Sequence, residues 1–137
     1  TTCRDIHEIR TRYIFDELIK MNINCTKPSG AFYIYLTLKN FSKPLERLGI
    51  SSCKDLAHHL LNCYNIATLP GSAFGDYDRD LCLRLSTSYL DMETDEKARE
   101  VLDIFSNGMN PLDFMLNHHP RTNLFLNRIN NFISSLN

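Results

Sequence analysis

Four sets of residues in this sequence have types and spacing that can do chemistry. Ser51-Ser52-Cys53-Lys54 fits Ser-x-x-Lys, a pattern used in acyl transfer. The companion motifs of such enzymes are absent, and the same residues open a helix, with Ser52 as cap and Asp55 three residues on. The cap is the better reading. Asp76, Asp78 and Asp80 alternate as in the first half of a calcium loop. The sixth and twelfth places of that loop, which require Gly and Glu, hold Leu81 and Thr87. His58-His59 and His118-His119 are adjacent pairs. Neighbours on a helix point about 100° apart, so neither pair converges on one metal, and both read as surface histidines. The five cysteines (Cys3, Cys25, Cys53, Cys63 and Cys82) are odd in number and hold no Cys-x-x-Cys pair. They favour neither a disulfide framework nor a structural zinc site, and read as reduced, mostly buried thiols of a cytosolic protein. No phosphate-binding loop of Walker or Rossmann type is present, and no metal site is expected.

Two segments remain. One is Lys27-Pro28-Ser29-Gly30-Ala31-Phe32-Tyr33. The other is Leu69-Pro70-Gly71-Ser72-Ala73-Phe74-Gly75, followed closely by Leu83-Arg84-Leu85-Ser86. Gly30, Gly71 and Gly75 read as backbone devices, and Pro70-Gly71 as a tight turn. Arg84 stands on the less apolar side of an alternating stretch: Leu81, Leu83 and Leu85 face one way, Cys82, Arg84 and Ser86 the other.

The elements that must hold these segments follow from periodicity. Residues 3–21 predict a helix, with Ile6, Ile9, Tyr13, Leu18 and Met21 as its apolar positions. Residues 31–38 predict a strand, and 39–50 a loop with Pro44 that has room for a short turn of helix. A second helix runs from Ser51 or Ser52 to about Asn65, with Leu56, Leu60, Leu61 and Tyr64 on its stripe. Residues 66–69 predict a short strand and 81–87 a third. Asp91 to Phe105 predicts a helix with acidic residues at its positive end, closed by Asn107-Gly108. Further helices follow Pro111, the last carrying Phe125, Ile129, Phe132, Ile133 and Leu136 at helical spacing. Three strands cannot make a two-sided α/β domain. The expected class is α+β: a small mixed three-stranded sheet packed against helices, with a helical C-terminal extension. The first two strands, joined through a helix, could be parallel; the last two could be antiparallel across residues 70–80.

In their order and spacing, the leading helix, the Pro-x-Gly-Ala-Phe-Tyr strand, the Pro-Gly-x-x-Phe-Gly loop and the Arg-Leu-Ser strand resemble the C-terminal small domain of class I/II (fold-type I) aminotransferases. The resemblance covers residues 1 to about 107, leaving 108–137 as a helical extension of the same domain. It implies that Arg84 binds the α-carboxylate of an amino-acid substrate. A guanidinium suits that role, since its planar fork of donors matches a carboxylate in two parallel charge-assisted bonds. Phe32, Tyr33 and Phe74 then line the mouth of the substrate pocket, or pack the core. The implied cofactor is pyridoxal 5′-phosphate, whose lysine, acid partner and phosphate cradle belong to a preceding large domain. None of Lys20, Lys27, Lys39, Lys43, Lys54 and Lys97 stands in the context of the cofactor lysine. Lys54 lacks the Arg expected eight residues later, where Asn62 stands. No catalytic or cofactor-binding residue is therefore expected in this chain.

Length and composition agree with a piece of that kind. The chain has 137 residues, 43% hydrophobic and 23% charged, with net charge −1 from 15 basic and 16 acidic side chains. These are values of a globular domain, and they exclude a disordered tail and a coiled coil. The balance of charge argues against a nucleic-acid partner, and no apolar run is long enough to span a membrane. The sequence opens Thr1-Thr2-Cys3, which suggests an excised piece. The expected parent is a cytoplasmic aminotransferase, homodimeric when full length, that exchanges amino groups between an amino acid and a 2-oxo acid. The fragment alone is expected to be inactive. The rival readings are a free-standing α+β regulatory or interaction module, and a lyase or synthase of the same cofactor fold.

Overall fold

Alternation in two five-residue segments builds the centre of the molecule. In the computed structural model, residues 2–26, 33–87 and 90–137 are described. Strand β2 (Tyr33–Thr37) pairs antiparallel with β4 (Cys82–Ser86), so that Ile34 faces Leu85, Leu36 faces Leu83 and Tyr35 faces Arg84. The four aliphatic side chains are buried on one face. Two-residue strands complete the sheet: β1 (Asn24–Cys25) beside β2 and β3 (Leu69–Pro70) beside β4, in the order β1-β2-β4-β3.

The expected α+β layer is present, with a different sheet inside it. Four strands replace three, and every pairing is antiparallel. Strands β2 and β3 do run in the same direction, as two strands joined through a helix can. Strand β4 lies between them and pairs with both, so no parallel ladder forms.

Helices α1 (Thr2–Lys20), α3 (Cys53–Tyr64) and α6 (Pro120–Ser135) share one core with the aliphatic face of the sheet. The buried stripe of α1 is Ile6, Arg10, Ile14 and Leu18, at steps of four residues, with a charged residue in a core position. The helix ends at Asn22, whose φ of 63° lets Ile23 N–H reach back to Leu18 C=O. Short α2 (Ser42–Arg47) follows a 3-10 turn at Lys39–Phe41, in the stretch expected to be a loop with room for a short turn of helix. Ser52 caps α3 by accepting from Asp55 N–H at 3.0 Å, as the cap reading of this segment expects.

Helix α4 (Asp95–Ser106) starts four residues later than the acidic run suggests, because Thr94 is its cap and accepts from Lys97 N–H at 3.1 Å. With α5 (Pro111–His118) it forms a second cluster of Ile6, Val101, Phe114 and Met115 at the opening of α1. Helix α6 buries Phe125, Leu126, Ile129, Phe132 and Ile133 in the main core. Each such side chain contributes about 1.5–3 kcal/mol of burial. Residues beyond 107 are thus integral to the packing of the described chain.

Polar ties fix these helices to the sheet. Tyr13 Oη donates to Asn123 Oδ1 at 2.7 Å, and the Asn123 amide donates to Met115 and His119 carbonyls at 2.9 and 3.0 Å. Thr11 and Thr87 hydroxyls meet at 2.9 Å and join α1 to the end of β4. Asp91, at φ 66°, accepts from Arg121 N–H at 2.8 Å, Thr122 N–H at 2.9 Å and Thr122 Oγ1 at 2.8 Å, and so caps α6 from thirty residues away.

His119 corrects the expectation of surface histidines: it is 0% exposed, against the Phe114 ring, with Nδ1 3.1 Å from Phe114 O. Burial pushes its pKa below the usual imidazole range. The bond to the Phe114 carbonyl and the charge of Asp91 oppose this, while Arg10 and His118 add to it. A histidine depressed in the fold stabilises it above the unfolded pKa of about 6.5, and that stability is lost as pH falls through the lower folded value. The melting temperature should therefore drop between pH 7 and pH 5, and His119→Gln should flatten that dependence. An unchanged slope in the variant would assign the acid sensitivity elsewhere.

Candidate functional site

The second face of the sheet carries Tyr33, Tyr35, Thr37, Cys82, Arg84 and Ser86 by strand alternation. In the row through Arg84, Tyr35 flanks it from β2 and Leu69 from β3. Its guanidinium carbon lies 4.5 Å from the Tyr33 ring centroid and 4.0 Å from that of Phe74. The cation is therefore held against two aromatic faces, a favourable contact. Tyr35 meets the edge of Phe74 at 6.2 Å and 77°. Arg84 Nε is buried, and among the described residues no hydrogen bond or ion pair engages this side chain. A half-buried cation without an acid partner can accept an external carboxylate without first breaking an internal pair.

The loop after β3 places Phe74. Residues Gly71–Phe74 form a 3-10 turn closed by Gly75 at φ 95°, a left-handed torsion that favours glycine. Gly71 has another reason to be glycine. A Cβ there would sit 2.6 Å from Cys82 Cβ and 2.8 Å from Asp76 Oδ2, so only glycine lets the turn lie directly on β4. Beside the Arg84 row opens a cleft of about 400 Å³, lined among others by Asn24, Tyr35, Phe74, Asp76 and Cys82.

Of the residues expected at this site, Tyr33, Phe74 and Arg84 come together. Phe32 lies outside the described residues, as do the rest of Lys27–Ala31. Tyr33 and Phe74 are 51% and 43% exposed, so neither is a core residue. Tyr35 was not singled out in the sequence, although period-two alternation from Tyr33 puts it on the same face.

The described lysines lie at the surface. Lys20 pairs with Glu17 at 3.2 Å, Lys39 with Asp80 at 3.2 Å and Lys97 with Glu93 at 3.5 Å, while Lys43 and Lys54 are exposed. Among the described residues no group of three or more His, Cys, Asp or Glu could hold a metal, and no helix is long and apolar enough to cross a membrane.

Comparison with known proteins bears on the fold and the family. A solved structure of an aromatic aminotransferase from Pyrococcus horikoshii superposes over 96% of this chain and 25% of its own, with a TM-score of 0.60 and 18% identity; it shows a shared fold. A probable N-acetyl-LL-diaminopimelate aminotransferase of Bacillus subtilis is 33% identical over 102 residues, 74% of this chain and 23% of that protein. An inactive alanine aminotransferase of Saccharomyces cerevisiae is 39% identical over 75 residues, 50% of this chain and 15% of that protein. The chain thus spans about a quarter or less of the length of these relatives. The sequence profile of the family described as aminotransferase class I and II matches residues 1–102, and this chain belongs to that family.

Proposed function

We propose that this chain is the C-terminal small domain of a pyridoxal-phosphate-dependent aminotransferase, with residues 1–107 as the domain proper and 108–137 as its extension. In this reading it supplies the arginine that holds the substrate carboxylate. The observation that carries it is Arg84: a fixed guanidinium, stacked between Tyr33 and Phe74, with no acid of the described chain to neutralise it. The α-carboxylate is common to every amino acid and 2-oxo acid and passes through the exchange unchanged. A planar fork binds it in two charge-assisted bonds. Holding it fixes where Cα and its amino or oxo group lie, which lowers the entropic part of the barrier. A strand holds the arginine more rigidly than a loop would.

Enzymes of this family generally use pyridoxal 5′-phosphate as an electron sink. The described residues do not fit that group: every described lysine is exposed or ion-paired on the surface, and none could form its Schiff base in an enclosed site. No catalytic step is assigned to this chain. The cofactor site would belong to the large domain of the full-length protein, which would act as a homodimer.

The test compares two proteins. Residues 1–137 alone should show neither cofactor absorbance nor amino-group transfer, whereas the full-length protein should show both. Transfer by the 137 residues alone would overturn the reading, as would a full-length protein that turns over no amino acid.

A further inference from the structure

Cys63 lies one helical turn beyond His59 on α3, and its Sγ stands 3.8 Å from His59 Nδ1. Residues four apart on a helix share a face, so this pair converges where the adjacent pair His58-His59 does not. We propose that His59 and Cys63 form a two-ligand chelate for a borderline-soft divalent cation of the zinc class. The site is separate from the Arg84 face.

The bite distance supports it. A tetrahedral zinc ion takes sulfur at about 2.3 Å and imidazole nitrogen at about 2.1 Å, which sets those atoms about 3.6 Å apart. The observed separation needs a shift of a few tenths of an ångström. The ring packs against an aromatic pair, with its centroid 6.0 Å from Tyr64 and 5.6 Å from Phe132. Cys63 is exposed, and both side chains line an open cleft of about 520 Å³ with Lys54, Asp55, His58 and Asn62.

The other described thiols lack this setting. Cys53 turns to the carbonyls of Tyr77 and Asp78, Cys82 to that of Asp80, and Cys25 to that of Ile23. Burial pushes the Cys25 thiol up to about 11, away from the thiolate a metal needs. Thiolate and imidazole together select zinc-like ions over magnesium or calcium. No third protein ligand joins the pair among the described residues, so water fills the remaining positions and the ion exchanges freely. Binding releases the Cys63 thiol proton to solvent and so strengthens as pH rises.

The experiment uses cobalt(II) as a spectroscopic probe on the full chain with reduced thiols. One equivalent should bind with a thiolate-to-cobalt charge-transfer absorption, and zinc(II) should displace it. Cys63→Ser should abolish the absorption. His59→Phe keeps a ring against Tyr64 and Phe132 but removes the nitrogen. It should weaken binding by at least about tenfold, the scale on which losing even an outer partner of a metal site acts. Melting curves check that both variants fold. Absence of the absorption in the unsubstituted chain, its persistence in Cys63→Ser, or unchanged affinity in His59→Phe would each overturn the proposal.

Discussion

Replacing Arg84 by Lys in the full-length protein should lower kcat/KM for amino-acid substrates by about 30- to 1000-fold. Hydrogen bonds to a charged group are worth about 1.5–3 kcal/mol each. Losing one or both of two such bonds at about 2 kcal/mol each, at 1.36 kcal/mol per factor of ten, gives that range. Lysine keeps the charge but not the geometry. An ammonium is a point charge that cannot present two parallel N–H groups to a carboxylate. It also cannot lie flat between Tyr33 and Phe74, which approach the guanidinium at 4.5 and 4.0 Å, so its position would be less fixed. The fold should survive, since Arg84 forms no hydrogen bond or ion pair among the described residues. A melting temperature close to that of the unsubstituted protein would separate a lost contact from a lost structure. The sharpest readout is the amine that lacks the α-carboxylate. Its slow reaction should be unchanged by Arg84→Lys, so the preference for the amino acid over the amine collapses. Unchanged kinetics with the amino acid would show that Arg84 is not the carboxylate clamp.

The site was more legible in the sequence than the scaffold around it. Strand alternation places Leu83 and Leu85 in the core and Arg84 on the opposite face, as the burial of the two leucines shows. The Pro-Gly-x-x-Phe-Gly loop was readable as a turn because its glycines meet backbone demands: Gly75 by its torsion, Gly71 by its contact with Cys82. The partners of the strands were not readable. Strands β1 and β3 have two residues each, too few to show a period, and only tertiary pairing defines them. Helix α1 was expected from Ile6, Ile9 and Tyr13, yet its buried stripe passes through Arg10, which a hydrophobic pattern rejects. Asp91 reads as the first residue of the helix that follows it in sequence. It serves α6 instead, and no local rule can name a cap thirty residues distant. His119 went astray for the same reason, since its burial comes from α5 and α6 folding onto α1.

Asp91→Ala should cost more stability than any other single change considered, about 3–5 kcal/mol. The carboxylate is 5% exposed and accepts three bonds from Arg121 and Thr122 at 2.8–2.9 Å. Removing it leaves the first turn of α6 without its cap, a loss of about 1 kcal/mol by itself. A further part involves Arg10. That side chain is 0% exposed and donates to the Leu90 carbonyl and to Met92 Sδ. Burial pulls its guanidinium down to about 10, while the charges of Asp91 and Glu93 oppose the fall. Taking Asp91 away leaves this buried cation with one fewer compensating charge nearby, and it orphans the donors of Arg121 and Thr122, at about 1–3 kcal/mol for each buried one. At about 3 °C per kcal/mol for a domain of this size, the melting temperature should fall by roughly 10 °C. Asp91→Asn should recover part of this, because asparagine tolerates the φ of 66° and keeps one acceptor oxygen, though not the charge. A fall below about 2 °C in Asp91→Ala would show that α6 and Arg10 do not depend on this residue. The two lesions are distinguishable: Arg84→Lys should remove activity from a stable protein, whereas Asp91→Ala should loosen α5 and α6 first. Activity would suffer only as that loosening spreads through Thr11 and Thr87 to the end of the strand that carries Arg84.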